Sequence, residues 1–201
     1  MRKKTTVAPY YCHPAEPKQA KTRPDAFCLT LAPTPIYTKS IGEAMKIGII
    51  SDTHDNLPTI TAATGRFTQC GVEVILHAGD FVAPFALRRL LQGRLPVYAI
   101  FGNCDGERVG LAKLLPDLAD GPRRIELGGK KICLVHDIKR LPHKEFEAAD
   151  IVVCGHTHEP KVEREEGRLV VNPGEAAGWL TGRCTVAILD TDAMAADIET
   201  I

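Results

Sequence analysis

No stretch of the sequence stays apolar over the roughly 18–20 residues that a helix needs to cross a bilayer; the longest runs, such as Cys184–Leu189, are the size of a strand. Neither sign of charge is in excess. Lys plus Arg and Asp plus Glu number 25 each, which removes the electrostatic ground for binding nucleic acid or anionic lipid. Aromatic residues are 5% of the chain, too few for a base-stacking platform. The cysteines (12, 28, 70, 104, 133, 154 and 184) are odd in number and include no C-x-x-C pair, so no disulfide framework is indicated. Basic Met1–Lys4 is not followed by the apolar segment of a secretory leader. What remains is 44% hydrophobic and 25% charged, ordinary for a globular domain. A cytoplasmic protein is expected, its cysteines used mostly as small buried apolar residues.

Proline and charge are unevenly spread. Residues 1–44 hold six of the 14 prolines, between Pro9 and Pro35, and show neither helical nor strand periodicity. They carry seven Lys or Arg against three Asp or Glu, a net of +4, which residues 45–201 balance with −4. Two expectations follow for 1–44: a disordered basic extension, or a start codon placed upstream of a natural start at Met45. Residues 45–201 are expected to form one domain.

From Met45 onward, short runs rich in β-branched residues end abruptly in polar ones. Lys46–Ser51 leads to Asp52, Val72–Leu76 to Asp80, Val97–Phe101 to Asn103, Lys131–Val135 to His136 and Ile151–Cys154 to His156. Leu169–Val171 and Thr185–Leu189 continue the series. Apolar runs of this length read as strands buried on both faces. Between the early ones, Leu57, Ile60, Thr64, Phe67 and Cys70 recur at helical spacing before a stop at Gly71, and Phe85–Leu91 and Val109–Leu118 are also predicted helical. The order predicts an α/β fold with helices outside a sheet or sheets.

The residues that end these strands carry the chemistry. Ligands bind beyond the carboxyl ends of strands in open α/β sheets, because the loops converge there. Asp52, His54, Asp80, Asn103, His136, His156 and His158 together have the composition of a metal site, and the D-x-H and H-x-H spacings put alternate side chains on one side of an extended loop. Each piece alone has a plainer explanation: D-x-H as a turn, G-D as a tight turn, His136 as a core histidine. Five pieces in order, each at a strand end, do not. Mixed carboxylate, amide and imidazole donors suit Mn²⁺, Fe²⁺, Zn²⁺ or Ni²⁺. Seven donors exceed one tetrahedral site but fit two ions, about 3.5–4 Å apart, that share a carboxylate.

Asp52-x-His54, Gly79-Asp80, Gly102-Asn103, His136 and Gly155-His156-x-His158 together resemble the signature of the calcineurin-like metallophosphoesterases, over essentially all of 45–201. Gly102-Asn103-Cys104-Asp105 and Asn172-Pro173-Gly174 are similar to segments of the small bacterial and archaeal phosphodiesterases among them. The resemblance implies a four-layer α/β/β/α sandwich of two mixed sheets. It implies two divalent ions, Mn²⁺ in the first place. Asp52, His54 and His158 would hold one and Asn103, His136 and His156 the other, with Asp80 bridging. A bridging hydroxide would attack phosphorus, with Asp80 and Asn103 the catalytic residues. Many members have His directly after the Asn, where it helps protonate the leaving group; this chain has Cys104, a poor proton donor.

A dimetal phosphodiesterase acting on small phosphodiesters is therefore expected, with a phosphomonoesterase or nucleotidase as the alternative. A non-catalytic protein-binding scaffold is disfavoured because all seven positions carry competent donors. Around them, Asn56 is expected to orient the first loop through backbone bonds, and Asp105 to bond the ring of His54 or His136. His77 is expected to be a buried supporting residue and His143 a surface one. No nucleic-acid or membrane partner is expected; a homo-oligomer is compatible with the sequence.

Overall fold

The computed structural model describes residues 43–201, so the expectation for 1–44 lies, but for its last two residues, outside the described part. The chain runs β1 (Lys46–Ile50), α1 (Leu57–Gln69), β2 (Val74–His77), α2 (Pro84–Leu91), β3 (Val97–Phe101), α3 (Arg108–Leu114) and β4 (Ala119–Asp120). It continues with β5 (Arg123–Leu127), β6 (Lys130–Leu134), a short turn at Ile138–Arg140, α4 (His143–Glu147) and β7 (Ile151–Val153). The last strands are β8 (Pro160–Glu165), β9 (Arg168–Pro173), β10 (Thr185–Asp190) and β11 (Ala195–Thr200).

Two mixed sheets result, in the orders β11-β10-β1-β2-β3-β4 and β5-β6-β7-β9-β8. In the first, β1, β2, β3 and β4 are parallel; in the second, β6, β7 and β9 are. Alternation along the strands assigns the faces. Ile47, Ile49, Val74 and Leu76 meet Ile132, Leu134, Ile151, Val153 and Val171 in a core between the sheets. Ile50 and Ile75 turn the other way, onto Ile60, Phe67, Leu87, Leu90 and Leu111 of the three long-sheet helices. On the far side, Cys133, Val152 and Cys154 pack against Phe146 of α4. These are the four expected layers.

The helices begin and end where the chemistry allows. Asn56 caps α1, its side chain accepting from Thr59 N–H, with Pro58 just inside, and the chain leaves through Gly71 at φ +72°. The third helix is shorter than the expected Val109–Leu118, because Leu115 is already extended and Pro116 follows.

Candidate metal centre

The parallel strands β1, β2 and β3, and likewise β6, β7 and β9, point their carboxyl ends the same way within their sheets, so the loops after them form one rim on each sheet. The two rims are bonded together. His136 Nδ1 donates to Ala78 O at 2.8 Å, His156 N–H to Asp52 Oδ2 at 3.1 Å, and Ala176 and Ala177 N–H to Ser51 O and Asp52 O at 3.1 Å each. The approach is close enough to exclude a side chain at Gly155, whose Cβ would overlap Ser51 Oγ of the other rim; within the first rim, a Cβ at Gly102 would overlap Asp80 Oδ1. Five of the seven candidate donors have left-handed backbone, namely Asp52 (φ 53°), His54 (36°), Asp80 (65°), His156 (69°) and His158 (63°). Such conformations cost of order 1 kcal/mol or more each and cluster at functional sites.

The donor atoms gather in three overlapping groups, one of which joins His54 and Asp80 to the Cys104 thiol. Asp52, His54 and His158 each offer an atom within 4.8 Å of the others, and so do Asp52, Asp80 and His136. Asp80 Oδ2 lies 3.7 Å from His54 Nε2 and 3.5 Å from His136 Nε2, facing both. Asp52 Oδ1 lies 3.5 Å from His158 Nε2 and 4.0 Å from His54 Nε2. Asn103 Oδ1 stands 2.8 Å from His136 Nε2 and 2.9 Å from His156 Nδ1. Two ligands at right angles on an ion about 2.1 Å away are about 3 Å apart, so these spacings suit first-row divalent ions.

Three observations test whether a cation fits. Asp52 Oδ1 and His54 Nε2 are buried and have no hydrogen-bond partner. Asp52 is fully buried, and that burial pushes its carboxyl above the usual range, a cost that an adjacent cation removes. Finally, the Ala78 carbonyl requires the His136 proton on Nδ1, so a neutral ring aims its Nε2 lone pair at Asn103 Oδ1. Two lone pairs facing each other are what two ligands of one ion present. The donor set fits divalent metal.

The sequence profile of the calcineurin-like phosphoesterase superfamily domain matches residues 45–194. The chain belongs to that superfamily. Within it, phosphodiesterase MJ0936 of Methanocaldococcus jannaschii is 39% identical over 157 residues, 74% of this chain and 94% of that protein. Phosphodiesterase YfcE of Escherichia coli K12 is 26% identical over 166 residues, 75% of this chain and 90% of that protein. The solved structure of a novel archaeal phosphodiesterase matches with a TM-score of 0.70 at 36% identity, covering 78% of this chain and 100% of the other. The superfamily is divalent-metal dependent, in keeping with the donors described. Among the described residues, no helix is long and apolar enough to cross a membrane.

The supporting residues differ in part from expectation. Asp105 does not bond a histidine ring. Its buried carboxylate accepts from the N–H groups of Asp80 (3.1 Å), Gly102 (2.7 Å) and Val82 (2.8 Å), stapling the loops after β2 and β3, because three unpaired backbone donors face it there. Asn56 also donates to Ala177 O at 2.8 Å. His77 is buried and stacked on Phe81; its Nδ1 accepts from Gly79 N–H, leaving Nε2–H for Thr53 Oγ1, and burial holds its pKa well below the usual 6.5. His143 is on the surface beside Glu147. Cys104 Sγ accepts from Asn103 Nδ2, and desolvation together with the Asp80 and Asp105 carboxylates pushes its thiol up to about 11.

Sequence reasoning missed two carboxylates. Glu175, fully buried after β9, lies 3.3 Å from His158 Nδ1, on the side of the ring away from Asp52. It also accepts from Leu180 N–H, Thr181 N–H and the Thr181 hydroxyl, binding a strap over the first donor group. Trp179 on that strap donates its indole N–H to His54 O at 3.1 Å. Asp137, directly after His136, faces His156 Nε2 at 4.0 Å. Both follow parallel strands of the second sheet, the same signal that marked the seven donors.

Proposed function

We propose that this chain is a two-metal phosphodiesterase that hydrolyses small phosphodiesters, with Asp52, His54 and His158 holding one ion, Asn103, His136 and His156 the other, and Asp80 both. The observation that carries the assignment is the Asp80 carboxylate placed between His54 and His136, beside buried donor atoms that have no partner. Mixed oxygen and nitrogen donors without a committed thiolate favour Mn²⁺, with Fe²⁺, Zn²⁺ or Ni²⁺ also accommodated. When bound, such ions polarise phosphoryl oxygens and acidify water to near neutrality.

The chain's own groups do the rest. Asp80 Oδ1 accepts from Cys104 N–H at 2.8 Å, which fixes the carboxylate plane and leaves Oδ2 toward the two histidines. Asn103 holds its amide by Nδ2–H···Sγ of Cys104, so Oδ1 stays directed at the second group. Without metal, Cys104 is a neutral thiol at neutral pH, and a thiol is a weak proton donor toward a departing alkoxide. That supports diesters with good leaving groups over phosphomonoesters, whose alkoxide leaving groups need a proton.

The test is turnover of bis-p-nitrophenyl phosphate by metal-depleted protein, with Mn²⁺ added back. Activity should require the metal, and Asp80→Ala should lose both ions, whereas His54→Ala should mainly weaken one. An Asp80→Ala protein that retains two ions per chain and near-normal turnover refutes the shared-carboxylate assignment.

A further inference from the structure

Next to the second donor group lies a cleft of about 410 Å³, within the ~300–1,000 Å³ range of small-ligand pockets. Asn103, His136 and His156 form its inner wall, and Arg108, Asp137 and Arg140 belong to its outer part. The cleft opens on these donors, so an ester arm of a phosphodiester held by them has room in it.

The polar groups of the cleft are unequally committed. Asp120 accepts from Arg108 Nη1 at 2.8 Å. Asp137 accepts from Lys139 N–H at 3.0 Å and faces Arg140 Nε at 3.6 Å and His156 at 4.0 Å. Both carboxylates are therefore engaged. Each guanidinium is paired with one of these carboxylates but keeps N–H donors to spare. A guanidinium has five N–H donors. Arg108 uses Nη1 and Nε, the latter toward Asp105 O, while its plane lies over Phe101 at 4.5 Å and is held in place. Arg140 meets Asp137 through Nε, and its side chain is 83% exposed. The surplus in this cleft is of charged donors, which a group rich in acceptors satisfies.

We propose that the cleft selects phosphodiesters whose arm on this side carries its own anionic group, a phosphate or a carboxylate, held by Arg108 and Arg140. The proposal rests on the phosphodiesterase reading and extends it to a substrate class. Charge-assisted hydrogen bonds of this type are worth roughly 10- to 100-fold in kcat/KM.

Three p-nitrophenyl diesters test it, with phosphoethyl, carboxyethyl or hydroxyethyl as the second arm, assayed with Mn²⁺ by release of p-nitrophenolate. The full chain should favour at least one anionic arm over the hydroxyethyl arm by about 10-fold or more. A phosphate-over-carboxylate order, or the reverse, then identifies the anion. Arg140→Ala and Arg108→Ala should each reduce that ratio several-fold, and Arg140→Lys should restore part of it, since a point charge replaces a fork. Turnover of the hydroxyethyl diester without any anionic preference overturns the proposal while the phosphodiesterase reading stands. A preference unaltered in both alanine variants overturns it as well. Failure to hydrolyse all three diesters, and bis-p-nitrophenyl phosphate too, refutes the underlying reading itself.

Discussion

Replacing Glu175 by Gln should weaken metal binding at the first donor group without touching a donor. The carboxylate lies 3.3 Å from His158 Nδ1 without the alignment of a hydrogen bond, and its negative charge favours the ring proton on that nitrogen, which leaves the Nε2 lone pair facing the Asp52 side. In the Glu175→Gln protein the new amide oxygen is favoured at the Oε2 position, where Thr181 delivers an N–H at 2.9 Å and its hydroxyl at 3.0 Å, over the Oε1 position, where Leu180 delivers one N–H at 3.0 Å. The amide NH₂ then occupies the Oε1 position and presents a donor to His158 Nδ1. Nδ1 becomes an acceptor, the proton moves to Nε2, and the ring points N–H rather than a lone pair at the ion. Loss of such an orienting partner typically costs about 10- to 100-fold in metal affinity. The chain has one tryptophan, Trp179, bonded to the His54 carbonyl, so its fluorescence during Mn²⁺ titration of metal-free protein reports the site directly. Thr181→Val removes one bond to Glu175 without reversing the ring, and should change the Mn²⁺ affinity far less. A folded Glu175→Gln protein that binds Mn²⁺ as tightly as the parent, or a Thr181→Val protein equally impaired, refutes the reasoning.

Cys104→His should raise phosphomonoester hydrolysis relative to diester hydrolysis by roughly 10-fold, below the ~10²–10⁴ of a tuned general acid; an unchanged ratio with metal content intact shows that position 104 does not face the leaving group. His77 bears on stability. Its folded pKa lies well below the usual 6.5, so the unfolded chain binds the extra proton, and stability present above pH 6.5 is lost as the pH falls, by up to ~1.4 kcal/mol per pH unit. Thermal unfolding of the metal-free protein between pH 7 and pH 5 should show this dependence, and His77→Gln should flatten it; parallel curves for the two proteins exclude His77 as the source.

The interior strands were legible because both of their faces are buried. β1, β2, β3, β6, β7, β9 and β10 each coincide with an apolar run, and a donor stands after five of them. β5, β8 and β11 were not legible. They are edge strands, and sequences such as Pro160–Glu165 expose most of their side chains, so no apolar run marks them. The short α4 was hidden for a similar reason, having too few residues to show a period. At the site, the convergence of the seven candidate donors was legible from spacing, but their orientation was not. Glu175 carries no histidine partner nearby in sequence, and its role depends on β9 lying beside β7, which places the two loop ends together. Asp105 was legible as a nearby carboxylate, yet its partners are backbone N–H groups that only the packed loops bring to it.

The pairing of β1 with β10 sets the order in which this centre can be completed. Lys46 stands opposite Asp190, near the other end of the described chain, whereas β1, β2 and β3 are joined by local crossovers. A growing chain can assemble these three strands and their helices early, with Asp52, His54, Asp80 and Asn103 already at one rim. His156 and His158 emerge several seconds later at synthesis rates of about 5–20 residues per second, and the strap bearing Glu175 after them. During that interval the half-built rim holds two aspartates and one imidazole with their partners still unmade. The full set of candidate donors is thereby complete only once the longest-range sheet contact of the described chain can close.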